Sequence, residues 1–239
     1  MLLLVMAVIF IATFIRSAFG FGEALVAVPL LALIMPIDVA APIAVLISIT
    51  VALVAVAQDW RHVQFRSAGL LFVSTCAGIP IGLWLLATVP EQAVKSVLAV
   101  VIITFSAFFL LNKSPATLKT EKFAPIFGFV AGILGGAYGM NGPPLVAYGT
   151  LRRWSPQHFR ATLQGYFLPA SIVVMFGYWV AGLWTSSVTR YYLLVLPVVV
   201  IAIFAGRTVN KRFHAKTFIT CVHVGLVLIG ATLLWQAYA

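Results

Sequence analysis

The sequence predicts an all-α, polytopic membrane protein built from two inverted repeats, each a broken helical hairpin followed by three transmembrane helices. Three observations carry that expectation. Of the 239 residues, 63% are hydrophobic and 8% charged, with a mean hydropathy of +1.11, and so few charges cannot cover a soluble surface. The apolar residues fall into long runs, at 1–37, 39–59, 67–89, 93–111, 122–151, 161–182, 189–206 and 217–238. Two of these runs carry the same kind of glycine-rich interruption, which in membrane chains points to a transporter binding site.

Met1 to Phe14 is apolar like the core of a signal peptide but lacks a basic leading region, so it is expected to stay as membrane structure. The runs at 39–59, 67–89, 93–111, 161–182, 189–206 and 217–238 each suit one crossing, because roughly 20 helical residues span the hydrocarbon core. Runs 1–37 and 122–151 do not fit. As single helices they would extend about 55 and 45 Å, against a core of about 30 Å. Each is expected to enter, break and turn back.

Charge supports that path. With hairpins and an outside amino terminus, the inside connections hold Arg61, Arg66, Lys113, Lys119, Lys122, Arg152, Arg153, Arg160, Arg207, Lys211, Arg212 and Lys216. Only Lys95 and Arg190 fall outside, and Arg16 lies within the first hairpin. A plain eight-span path divides the same cations almost evenly, contrary to the positive-inside rule. The formal charge of +10 thus reports topology and not nucleic-acid binding.

The expected organisation is a first repeat at 1–111, a cytoplasmic linker at 112–121 and a second repeat at 122–239. A hairpin plus three crossings is an odd set of passes, so the halves have opposite orientation and both termini are periplasmic. Val56-Ala57, Trp60, Arg66 and Gly82 recur as Val180-Ala181, Trp184, Arg190 and Gly206 at one constant offset. Trp60, Trp84, Trp184 and Trp235 stand near span ends as interfacial anchors.

The breaks carry the chemistry. They read Phe19-Gly20-Phe21-Gly22-Glu23 with Pro29 following, and Tyr138-Gly139-Met140-Asn141-Gly142-Pro143-Pro144. Non-helical backbone within a bilayer is tolerated only where protein buries it or a cavity adjoins it, so the two breaks should face each other inside the protein. A helix restarting after each break presents unpaired N–H groups and a positive end, and Gly20, Gly22, Gly139 and Gly142 keep that backbone accessible to an anion.

Arg16 is the expected counter-charge, since an intramembrane cation is a functional hypothesis by default. Stabilising the end of its own helix, or reaching out to the surface, are the structural alternatives. Glu23 is favoured at a helix amino end and can pair with Arg16. Asn141, Ser17, Tyr138 and Gln164 are the nearest additional donors. Ser48, Thr50, Ser74, Thr75, Thr104 and Ser106 are expected to bond their own backbone, and Gly78 and Gly82 to serve close helix packing. Cys76 and Cys221 lack metal or disulfide spacing, and His62, His158, His214 and His223 lack a metal partner, so no cofactor is expected.

These paired breaks, the duplicated half and the short basic inside loops resemble the sulfite exporter family of the TauE/SafE type over essentially the whole chain. The family's breaks carry a denser glycine run, and Glu23 and Asn141 stand where glycine is common. The resemblance implies a bacterial inner-membrane carrier for sulfur-containing anions such as sulfite, thiosulfate, sulfoacetate and other organosulfonates, with no enzymatic activity. Export is the expected direction, because a negative charge leaving a cell at about 100 mV gains roughly 2.3 kcal/mol. An anion channel on the same hairpins, or an uptake carrier coupled to protons, is the alternative. No HExxH, paired carboxylates on one helix or nucleophile elbow suggests an enzyme.

Overall fold

The computed structural model describes residues 2–59, 65–111, 117–118, 120–210 and 215–238, and among these every regular element is helical. The order is α1 (Leu2–Phe19), α2 (Glu23–Ala32), α3 (Ile37–Asp59), α4 (Phe65–Thr88) and α5 (Glu91–Leu111). A short 3-10 turn, Glu121–Phe123, then leads into α6 (Ala124–Tyr138), α7 (Gly142–Leu151), α8 (Pro156–Val180), α9 (Ser186–Asn210) and α10 (Ala215–Tyr238). The pattern is the same in both halves: a helix, a glycine break, a ten-residue helix, then three long helices.

Both long runs are broken where the glycines stand. A ten-residue helix rises about 15 Å, half of a bilayer core, so neither α2 nor α7 can cross by itself. Among the described residues, six helices are long and apolar enough to cross, at Leu2–Phe19, Ile37–Ala57, Ala68–Thr88, Glu91–Leu111, Thr162–Val180 and Ser186–Thr208. They make the chain a multi-pass membrane protein. Their outer faces expose Val73 and Trp84 on α4, Phe176 and Trp179 on α8, and Ile201 and Phe204 on α9, as lipid-facing helices do.

The first helix of each hairpin packs against the second long helix of the other half, α1 on α9 and α6 on α4. Small residues make that closeness possible. A Cβ on Gly82 would stand 2.1 Å from the Ile133 carbonyl oxygen and 2.9 Å from Gly136 Cα on α6. One on Gly206 would stand 2.6 Å from the Phe14 oxygen and 2.8 Å from Ser17 Cβ on α1. Gly78 meets Phe129 and Gly132 in the same way, so Gly78 and Gly82 are packing glycines. Helices α3 and α8 pair across the two halves, as do α5 and α10, which leaves the α2 and α7 half-helices in contact with each other in the interior.

Several sequence readings fall outside the described residues or side chains: Trp60, Arg61, His62, Arg66, Lys113, Lys119, Arg160, Lys211, Arg212, His214, Lys216 and Cys221. Most of the 112–121 linker does as well.

Candidate substrate site at the helix breaks

One small cavity lies where the two breaks meet. It is bordered by Arg16 of α1, by Phe21 to Leu25 around the first break, and by Met140 to Pro143 around the second. Ser48 of α3, Phe105 of α5, Val146 of α7 and Phe167 of α8 complete the wall. Its volume is about 20 Å³, room for a water-sized group.

The first break is shaped by glycine. Gly20 and Gly22 have φ of 88° and 100°, a region that side chains strongly disfavour. At Gly22 an added Cβ would meet only Ile15 Cγ2, at 3.4 Å, so the backbone there has open space beside it. The first hydrogen bond of α2 runs from Val26 N–H to the Gly22 carbonyl, at 3.1 Å. The N–H groups of Glu23, Ala24 and Leu25 therefore have no acceptor within the helix, and all three residues border the cavity.

The second break differs. Gly139 also has a positive φ, 64°, but a Cβ there would strike Val45 Cγ2 at 2.6 Å, so this glycine lets α3 approach and does not open onto the cavity. Pro143 and Pro144 carry no N–H, which leaves Gly142 as the first-turn backbone donor of α7. The two helix ends are thus unequal as anion sites. Donors concentrate at α2, and α7 contributes mainly the buried Asn141 side chain and apolar wall.

Arg16 is 3% exposed and held from four sides. Its Nη1 donates to Glu23 Oε2 at 2.5 Å and to Ser48 Oγ at 2.6 Å, its Nη2 donates to Gln164 Oε1 at 3.1 Å, and the guanidinium carbon lies 5.0 Å from the Phe167 ring centroid. Nε–H has no acceptor. Thr13 donates to Glu23 Oε1 at 3.3 Å, and Ser48 hydrogen-bonds Ser171 at 3.2 Å. Gln164 also donates from Nε2 to the Gly20 carbonyl at 2.9 Å, tying the end of α1 to α8.

Of the residues singled out from sequence, Arg16, Gly22, Glu23, Asn141 and Gly142 border the cavity. Gly20 and Gln164 stand immediately behind it, through Arg16. Ser17 turns toward α9, where its Cβ faces Gly206, and its hydroxyl has no partner. Tyr138 points to α5, donating to the Val94 carbonyl at 3.0 Å.

Ser48 was expected to bond its own backbone and instead accepts from Arg16; Thr75 likewise donates to Gly128 of α6 and Ser106 meets His223 of α10, whereas Thr50 and Ser74 do bond the preceding turn. Phe105 and Phe167 were not legible as cavity residues. An apolar residue in a membrane helix carries no mark of which face it occupies.

The TauE/SafE sulfite exporter family matches residues 5–233. The chain belongs to that family. Like other TauE/SafE members it is a membrane transporter and not an enzyme. A curated relative, the probable sulfite/organosulfonate exporter TauE of Cupriavidus necator, is 24% identical over 236 residues, covering 94% of this chain and 90% of the relative. No solved structure matches. Within this TauE/SafE chain, Arg16 and the open end of α2 fall inside the matched region.

Proposed function

We propose that the chain exports small sulfur-containing anions, such as sulfite, sulfoacetate or other organosulfonates, across the bacterial inner membrane by alternating access. The observation that carries the reading is that a buried arginine and the three amino-terminal residues of α2, whose N–H groups have no acceptor within the helix, border one cavity at a helix break. A sulfonate or sulfite presents three oxygens, and a guanidinium with a helix amino end supplies donors in the fork geometry such groups take. The relative's name supports the same substrate class.

The matching packing of α1 on α9 and α6 on α4 supports two inverted repeats, whose relative rocking would open the site to one side at a time; the distribution of Lys and Arg is the ground for placing both termini in the periplasm.

The test is thermal stabilisation of the detergent-purified protein with sulfite, thiosulfate, sulfoacetate, taurine, isethionate, sulfate and acetate. A ligand at 100 times its Kd adds about 2.7 kcal/mol. Selective stabilisation by sulfur oxyanions is the expected result, and saturable flux in vesicles separates a carrier from a channel. No response across the panel overturns the substrate class.

A further inference from the structure

The cation in the site is already neutralised, and by a residue that restarts the broken helix. Glu23 is 2% exposed and is the first residue of α2, so its carboxylate and its free backbone N–H lie at the same place. An incoming sulfonate that uses the Arg16 guanidinium must displace that carboxylate or share Arg16 with it. Sharing places two negative charges on one buried cation. Displacement leaves a buried carboxylate whose remaining hydrogen bond is the one from Thr13, and an unpaired charge in such surroundings is relieved by taking up a proton.

We propose that Glu23 is the proton-binding site of the transport cycle: the substrate anion replaces its carboxylate on Arg16, and one proton is taken up with each anion. The step breaks the contact between Arg16 Nη1 and Glu23 Oε2, forms hydrogen bonds from Arg16 to a sulfonate oxygen, and transfers a proton from water onto a Glu23 oxygen. Arg16 stays charged throughout. Release reverses each change, and the empty carrier returns with Arg16 and Glu23 paired, so that with a monoanion neither leg moves an uncompensated charge through the protein. The inference rests on the anion-carrier reading.

The surroundings isolate the pair. Among the described residues, the charged group touching Glu23 is Arg16; Ser48 of α3 and Gln164 of α8 reach it only through Arg16 and are neutral. The other elements packed on α2 are α3, α5, α7 and α10. Helix α7 has no charged residue. On α10, His223 is enclosed by Phe105, Phe109 and Ser106. Glu91 and Lys95 of α5 pair with each other near Ile37, at the far end of α2, where Asp38 of α3 also stands. Among the described residues, no second carboxylate therefore competes for the proton at the break.

A consequence is that the membrane potential does no work on a monoanion moved with one proton, so its export is driven by the anion's own outward gradient and not by the potential invoked for an anion moving alone. A doubly charged sulfite moved with one proton still carries one negative charge outward.

Isethionate is a suitable probe because its sulfonate does not titrate near neutral pH. Calorimetric titration of the purified protein in two buffers of different ionisation enthalpy should show close to one proton taken up per isethionate bound. The Kd should rise about tenfold per pH unit as the solution is made more alkaline, since the bound state holds the extra proton. Glu23→Gln should bind isethionate without proton uptake and with no pH dependence. Wild-type binding with no proton uptake overturns the inference and leaves the anion site standing, even if Glu23→Gln fails to fold. Absence of binding by isethionate and by the other sulfur oxyanions overturns both.

Discussion

Arg16 and Glu23 lie on opposite sides of the Gly20–Gly22 break, and their side chains meet at 2.5 Å in the protein interior. The contact joins the last turn of α1 to the first turn of α2, between partners seven positions apart in the sequence. It stabilises a bend that the helical backbone cannot hold by hydrogen bonds of its own, and it keeps the one buried arginine of the site in place.

Removing one partner should cost more than removing both. Arg16→Ala leaves Glu23 buried without its cation, a change worth about 3–5 kcal/mol. The double variant Arg16→Met, Glu23→Leu should recover most of the thermal stability in detergent and bind no sulfonate. Sulfonate affinity retained in the double variant would remove Arg16 from the site.

Gln164 holds both the Arg16 guanidinium and the Gly20 carbonyl, so Gln164→Leu should strand two buried polar groups. The expected loss is about 1–3 kcal/mol of stability, with weakened anion affinity because Arg16 is no longer fixed on that side. Melting curves with and without isethionate separate the two effects. Gln164→Glu, which sets a second carboxylate on Arg16, should bind isethionate more weakly than the wild type.

The glycine contacts give a sharper stability test. Gly82→Val and Gly206→Val each force backbone apart, α4 from α6 and α9 from α1, and should destabilise by at least about 1–3 kcal/mol. Gly69→Ala is the control on α4, since a Cβ there meets nothing within 4 Å. Equal melting temperatures for all three would contradict the packing.

Topology has its own check. With Cys76 and Cys221 replaced, a single cysteine placed at the carboxyl terminus should react with an impermeant maleimide from the periplasm. Reaction from the cytoplasmic side alone would refute the inverted arrangement of the halves.

The sequence by itself determined the membrane class, the long helices and the sites of both breaks, because each follows from local properties: apolar run length against bilayer thickness, and glycine where no side chain can adopt the backbone. It also placed Arg16 and Glu23 as potential partners, since they flank one short break. What only the tertiary structure decided was orientation. Ser17 neighbours Arg16 in sequence yet turns to α9, and Tyr138 ends α6 as Arg16 nears the end of α1 yet bonds to α5. Ser48 and Phe167 join the site from α3 and α8, helices apolar nearly all round, whose faces are assigned only by packing. The two glycine phrases likewise look equivalent as text, and differ because Gly22 opens onto the cavity and Gly139 receives a neighbouring helix.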